Sequence, residues 1–414
     1  MILILIKLKL CSRVTPADDM GEPAWWPSGI SKTSFEEAQS TLICRTSFGK
    51  TTMWNSDMAM ELPWWQQLPE SGTIWGEWPQ DVVSLDKITE DQSGIVVKLF
   101  GQDKQWIARL CPIDVGQDAS RIVRHKDWNL ALQGCDILLP VAGWSTDNGD
   151  RVIIYPQYDE LPTNEISDEL QSVVSIMAKA QSNLQQFATP NSERLWNDSL
   201  KVIEASLKTN TLWRGPHTVK TVGLPTLNLN FTSIVKVDGK LMLIAQPRRL
   251  VEHLLVGEQR IPAIANLMSM EREFTIHCQV DEIVRKQLLE TWINLVPIEW
   301  TGKKEMSTVL GGPWLWRYRA VLLNLADAKA FANSQLEKNC NSWLRDVSRL
   351  QAHLGTLRMW KAGEWVGYTA IAVGFYAWKM QTMTEQNGLF LLVGGAIFAI
   401  AMNRIYWSKD PSPY

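Results

Sequence analysis

The spacing of apolar and polar positions changes character along this chain. Between about residues 80 and 158 it falls into short blocks of β-branched and aromatic residues, which predicts strands. Asp81-Val-Val-Ser-Leu-Asp86 reads as a weak strand. Gly94-Ile-Val-Val-Lys-Leu-Phe100 and Lys104-Gln-Trp-Ile-Ala-Arg-Leu110 read as a β-hairpin around Gly101-Gln-Asp103. Pro112 to Gln133 contains a helical stretch with Ile122, Val123, Leu130 and Leu132. Cys135 to Leu139 and Arg151 to Tyr155 follow as strands, with Asp147-Asn-Gly-Asp150 as the turn between them. From Ile166 the period becomes helical, through Leu170, Val173, Val174, Ile176, Met177 and Leu184, and again through Leu195, Leu200, Val202 and Ile203. Phe231 to Val237, Asp238-Gly239 and Lys240 to Ile244 form the clearest hairpin signal, because both turn positions need positive φ. Beyond Pro247 the chain reads as largely helical, with Val321 to Trp343 its longest stretch.

Two apolar segments close the sequence, Trp365 to Trp378 and Gly388 to Met402. A bilayer core takes roughly 20 mostly apolar residues per helix. The second segment reaches that length if Asn403 to Trp407 sit at the interface. The first does so only with Lys379 snorkelling. Trp365, Trp378, Tyr406 and Trp407 stand where an interfacial aromatic belt places them. Arg345, Arg349, Arg358 and Lys361 precede the pair, Arg404 and Lys409 follow it, and the turn Gln381 to Asn387 holds no Lys or Arg. A transmembrane hairpin over 362–407 with both termini cytoplasmic is the expectation. Gly363 and Gly367, and likewise Gly395 and Ala399, are spaced for close helix packing. The opening Met1 to Leu10 is too short to span and lacks a cleavage site, so it reads as a short strand or a ragged start.

Composition adds limits rather than a function. A formal net charge of −3 over 414 residues gives no basis for a nucleic-acid face. Six scattered cysteines with no C-x-x-C pattern fit reduced thiols better than a disulfide frame or a zinc site. Trp25, Trp26, Trp54, Trp64, Trp65, Trp75 and Trp78 crowd the first eighty residues. They act either as anchors packing a loop-rich segment on a larger body or as an aromatic surface for a partner.

This order of elements resembles the protein-kinase fold, specifically the bacterial small-molecule and lipopolysaccharide kinases, over about residues 80 to 250 and more weakly to about 350. The resemblance places Lys104 to Leu110 on the strand that carries the ATP-binding lysine and Arg151 to Tyr158 at the hinge. It places Leu227 to Val235, with the hairpin after it, at the catalytic loop. It implies a nucleotide site, and phosphoryl transfer there needs a lysine on the phosphates, magnesium ligands and a base. The residues it aligns lack that chemistry. Arg109 stands at the lysine position, with different reach and shape. Arg121, Arg124 and His125 stand in the helix where a glutamate is expected. Thr226, Leu227 and Asn228 replace His-Arg-Asp, Ser233 replaces the magnesium-binding asparagine, and Ala245, Gln246 and Pro247 replace Asp-Phe-Gly. The loop Glu90 to Gly94 holds one glycine. An unrelated α+β domain has the same element order open to it.

Other motifs carry less. Cys44-Arg-Thr-Ser-Phe-Gly-Lys-Thr51 approaches a P-loop but lacks the first glycine and a following helix, and reads as a polar loop. Glu273, His277 and Cys278 have no second spaced pair to complete a metal site. His217 follows Gly215-Pro216 in a turn. Arg248, Arg249, Arg317 and Arg319 stand beside aromatic residues, as a solvated edge or as a contact for anionic headgroups.

The reading is therefore α+β: a Trp-rich N-terminal segment (1–79), a strand-rich lobe (80–160), a helix-rich lobe (161–355) and the transmembrane hairpin (362–407). It is a degenerate kinase-like protein at a membrane, with no catalytic, cofactor or metal residues expected. Its partners would be the lipid bilayer and an unidentified protein. An active kinase using Arg109 and Asn228, and a tethered assembly factor that grips a partner with its tryptophans, are the alternatives.

Overall fold

The computed structural model describes residues 22–38, 41–67, 69, 71–190, 193–209, 222–225, 227–257, 260–303, 305–307 and 312–409. Met1 to Leu10, Cys11, His217 and Thr226 lie outside these. The N-terminal region builds a three-stranded antiparallel sheet from β1 (Ser31–Ala38), β2 (Thr41–Thr46) and β3 (Lys50–Met53). A short helix α1 (Leu62–Gln66) follows. The main sheet has six strands: β4 (Thr73–Gly76), β5 (Ser84–Asp91), β6 (Gly94–Phe100), β7 (Gln105–Leu110), β9 (Ala142–Thr146) and β10 (Gly149–Pro156), in the order β4-β9-β10-β7-β6-β5 and antiparallel throughout. Helices α2 (Asp118–Arg124) and α3 (Lys126–Leu132) and the two-residue strand β8 (Ile137–Leu138) lie between β7 and β9 in sequence.

Both faces of this sheet are covered, which is why β6 and β10 read as unbroken apolar runs rather than alternating ones. Ile95, Val97, Leu99, Ala108, Leu110, Val152 and Ile154 face a cluster containing Trp65 and Ala59, with Trp54, Trp64 and Trp78 packed against it. Trp54, Trp64, Trp65, Trp78 and Trp144 meet edge-on, tilted or stacked at centroid distances of 5.0 to 6.0 Å. The opposite face carries Val96, Ile107, Ile153 and Tyr155 and meets the second lobe at Leu138, Val235 and Ile244.

That second lobe is helical. It comprises β11 (Asp159–Glu160), α4 (Thr163–Asp168), α5 (Leu170–Asn183), β12 (Thr189–Pro190), α6 (Glu193–Leu207), β13 (Val222–Gly223), β14 (Ile234–Val237) and β15 (Lys240–Ile244). Then come α7 (Leu250–Val256), α8 (Ala263–His277), α9 (Glu282–Ile293) and α10 (Gly312–Ala330). Asp238 and Gly239 take φ of 50° and 79° in the β14–β15 turn, as the Asp-Gly pair requires. The chain thus runs as an antiparallel meander with two short helices between its third and fourth strands, followed by a helical lobe with one tight hairpin.

Several boundaries differ from the sequence reading. The first strand of the meander is Ser84–Asp91 rather than residues 81–86. The partner of Arg151 to Tyr155 is β9, not Cys135 to Leu139. Only Ile137 and Leu138 of that run form a strand, and it joins β15 in parallel in a separate sheet, β11-β14-β15-β8. Val321 to Trp343 is not one helix, because α10 ends at Ala330 and Ala332 turns to φ 51°. Asn333 then caps α11 (Ser334–Lys379), its side chain accepting from the Leu336 amide at 3.0 Å.

Helix α11 runs 46 residues without a break and packs its first half on the helical lobe through Cys340, Val347, Leu354 and Leu357. Helix α12 (Glu385–Lys409) returns alongside it. At their contact, a Cβ on Gly367 would lie 2.7 Å from the Ala399 side chain and 2.8 Å from the Gly395 carbonyl, so only glycine fits there. Among the described residues α12 alone is long and apolar enough to cross a membrane. The corresponding part of α11 is apolar but interrupted by Trp, Tyr and Thr.

Candidate functional site

The site lies where the inner face of the main sheet meets residues 227–235 of the helical lobe. Strand alternation decides what points there. Register sets Arg109 in a cross-strand row between Val96 and Ile153, and Ile107 in a row beside Tyr155. These four apolar neighbours are almost fully buried, and Arg109 itself is only 4% exposed. An unpaired guanidinium would be very costly in such a place. Arg109 Nη1 therefore meets both carboxylate oxygens of Asp91 at 2.7 Å. Burial alone would lower the Arg109 pKa, but the Asp91 charge outweighs it and holds the guanidinium ionised. Asp91 closes β5, so the pair pins the loop that stands at the glycine-rich position down onto the sheet.

Two tyrosines fill the hinge end. The Tyr155 hydroxyl donates to the Ala245 carbonyl at 2.5 Å, and the Tyr158 ring lies edge-on to Tyr155 with centroids 6.3 Å apart. Burial pushes the Tyr155 hydroxyl well above its usual pKa and the Tyr158 hydroxyl up to about 12, so both stay neutral donors. Val96, Ile107, Val235 and Ile244 close the same space.

The positions a metal-bound phosphate would need are also committed elsewhere. Ser233 is buried; its Oγ accepts from the Asn230 amide at 3.0 Å and donates to Asn230 Oδ1 at 3.3 Å. Ala245 offers no side-chain ligand, and Gln246 donates to the Thr232 carbonyl at 3.2 Å. Asn228, at φ 45°, donates to Asp118 Oδ2 at 2.8 Å. Asp118 also receives Arg248 Nε at 2.9 Å and Nη2 at 3.2 Å, and this ion pair lies out of water. The kinase resemblance implies a nucleotide and magnesium, and this donor set does not fit them.

What does stay open is a groove of about 440 Å³ beside the packed interface. Its walls are the Asp91 to Ser93 loop on one side and Asn230 to Thr232 on the other, with α8, α10 and the start of α11 as the floor. Arg249 is its hub: Nη2 meets Glu273 at 2.6 Å, and Nη1 meets Asp327 at 2.9 Å and Asn324 Oδ1 at 3.1 Å. Its two carboxylates shift in opposite directions. Burial would raise Glu273, but Arg249 and His277 together lower it to about 2. Burial raises Asp327 to about 6, since its Oδ1 has no donor and Arg249 is shared. The His277 ring stacks on Phe231 with centroids 4.5 Å apart at the rim.

The sequence reading located Arg109, Asn228, Ser233 and Ala245 on this interface and missed their partners. Asp91, Asp118, Tyr155 and Tyr158 are the residues that decide the site. The only available signal was placement: an acid ending a strand before a turn, and an acid opening the helix after Pro112. Arg121, Arg124 and His125 do not face Arg109; they line a separate small cleft with Gln117 and Ser120. Arg317 and Arg319 are neither a solvated edge nor a headgroup contact. Both are buried, paired to Glu271 and Glu252 at 2.7 and 2.8 Å, because α10 is enclosed by the lobe along its whole length. Arg248 is likewise buried. Cys44 to Thr51 forms the β2–β3 turn, whose Thr46 hydroxyl donates to the Gly49 carbonyl at 2.7 Å, and it leads into strand β3 rather than into a helix. His277 meets Glu273 at 3.6 Å, and no metal-binding group of three ligands occurs among the described residues.

No protein-family model matches this chain, and no curated protein sequence does. Among solved structures it is similar to a glucosamine kinase in complex with glucosamine, ADP and inorganic phosphate, at 9% identity and a TM-score of 0.40, over 81% of this chain and 96% of that one. It is also similar to a Plasmodium vivax ethanolamine kinase, at 9% identity and a TM-score of 0.40, covering 64% and 83%. A choline kinase from Cryptosporidium parvum follows at 9% and 0.33, covering 72% and 96%.

Proposed function

We propose that this chain is a membrane-anchored, cytoplasm-facing binding or regulatory module built on a kinase-like fold that no longer transfers phosphate. The observation that carries it is the packed interface between the lobes. Tyr155, Tyr158, Val96, Ile107, Val235 and Ile244 pack together where this reading would put a nucleotide base, and Arg109 is paired with Asp91, which supports the loss of phosphate binding. Recognition then falls to the open groove around Arg249 and to protein surfaces beside the membrane.

The anchor in this reading is the α11–α12 hairpin with both termini cytoplasmic. Supporting it, Trp365, Val366, Tyr376, Phe390, Ile397 and Ile400 are all more than half exposed, an apolar surface that water would penalise and lipid would not. The tryptophans of the N-terminal segment pack largely inward on the main sheet, which weighs against using them to grip a partner.

The test is calorimetric titration of the full chain in detergent with ATP, with and without magnesium. No binding at millimolar nucleotide is the expected result. Magnesium-dependent binding would replace this reading with an active kinase using Arg109 and Asn228. Binding without magnesium would make the protein a nucleotide sensor.

A further inference from the structure

The most exposed large apolar side chain among the described residues is not on the hairpin. It is Ile298, 83% exposed, in a one-turn 3₁₀ segment (Ile298–Trp300) that follows α9. Leu295, one turn earlier, is also exposed. A lone exposed isoleucine is ordinary on a globular surface. This one has an address. Five residues on, Lys303 Nζ stands 5.6 Å over the ring of Trp407, in the last turn of α12. Ser307 then hydrogen-bonds the Tyr406 hydroxyl at 3.0 Å, and Tyr406 is buried against the body. The segment is thus tied to the end of the hairpin where lipid headgroups would begin. The charges there are mixed: Lys303, Lys361, Arg404 and Lys409 stand against Glu299, Glu305 and Glu364, with Lys361 paired to Glu364 at 2.5 Å and its Nζ 5.2 Å over the Tyr406 ring.

We infer that the Pro297–Lys303 segment is a second membrane contact. Ile298 enters the headgroup region of the leaflet that receives α11 and α12, and the flanking lysines and arginines meet anionic lipid. An exposed apolar tip a few residues from a lysine at the end of the hairpin suits a bilayer interface, with the isoleucine at the acyl boundary and the Lys303 stem reaching to the phosphates. This inference rests on the hairpin being in a bilayer, and it adds that the soluble body touches the same bilayer at one defined loop.

The experiment places an environment-sensitive fluorophore on Ile298→Cys in the full chain, reconstituted in nanodiscs of mixed zwitterionic and anionic phospholipid. Labelling of the unsubstituted chain is subtracted. Val393→Cys, on α12, and Val202→Cys, on the exposed side of α6, serve as references. The expected result is a blue-shifted Ile298→Cys signal, lost to headgroup-level lipid quenchers, with Val393→Cys quenched at depth and Val202→Cys aqueous. An aqueous Ile298→Cys beside a lipid-quenched Val393→Cys overturns the inference and leaves the hairpin standing. A blue-shifted Ile298→Cys that lipid quenchers do not reach also overturns it, since protein covers the site instead. An aqueous Val393→Cys overturns both.

Discussion

Asp118 shows how a single carboxylate can reorganise a site. It opens the helix where the kinase resemblance expects a glutamate facing the β7 cation, yet it serves Arg248 and Asn228 while Arg109 turns to Asp91. Removing one member of a buried ion pair costs about 3–5 kcal/mol, because the remaining charge stays buried. Asp118→Ala should lower stability by about that amount, read as an earlier denaturant midpoint. A shift under about 1 kcal/mol would mean that water reaches Arg248. Asp327 offers a pH test. Unfolded, it titrates near 3.8; folded, near 6, because burial disfavours its charge. The folded state holds that proton more tightly, so its contribution to stability falls as pH rises from about 4 through about 6. Glu273 acts oppositely: its contribution is complete above 4.5 and is lost as pH falls towards 2. Asp327→Asn removes only the first effect. Its stability relative to the parent should improve by on the order of 2–3 kcal/mol between about pH 4 and about pH 7. A difference that stays constant across that range would contradict it.

At the scale of elements, legibility followed burial. The β6–β7 and β14–β15 hairpins were readable because their apolar runs and turn residues agree. The first strand of the meander was not fully so, since β5 is the edge of its sheet and is built of Asp, Lys, Thr and Glu. Strand β9 was missed because Gly143 breaks its pattern; the Trp75 ring lies where a side chain there would go, 2.3 Å from the would-be Cβ. The break between α10 and α11 has no Pro or Gly to announce it, only Ala332 at positive φ. The Gly367 contact was foreshadowed by spacing alone, and it is testable. Gly367→Leu should force α11 and α12 apart and lower the thermal midpoint in detergent. Gly394→Leu, where nothing lies within 4 Å, should leave it unchanged. Equal effects would show that helix propensity, not the contact, sets the outcome.

For the whole molecule, sequence pattern conveyed a strand-rich stretch, a helix-rich stretch and the apolar C-terminus, but not how the first two meet. That interface is decided by pairings across long stretches of chain, such as Arg248 with Asp118 and Tyr155 with Ala245. Local periodicity carries no trace of them. The same holds for the N-terminal tryptophans. Their number was plain, but only the fold reveals that they roof a sheet whose two faces are both buried.

Helix α11 leads to one further consequence. Its 46 residues extend about 69 Å at 1.5 Å per residue, from its cap beside the groove to the far end of the hairpin. No proline or loop interrupts it, so it contains no swivel. A transmembrane helix longer or shorter than its bilayer adjusts chiefly by tilting. Joined to a rigid rod, the body would have to lean by the same angle. Set in a membrane, this protein would convert lipid thickness into the attitude of its groove, as a mast passes the roll of a hull to whatever is mounted on it.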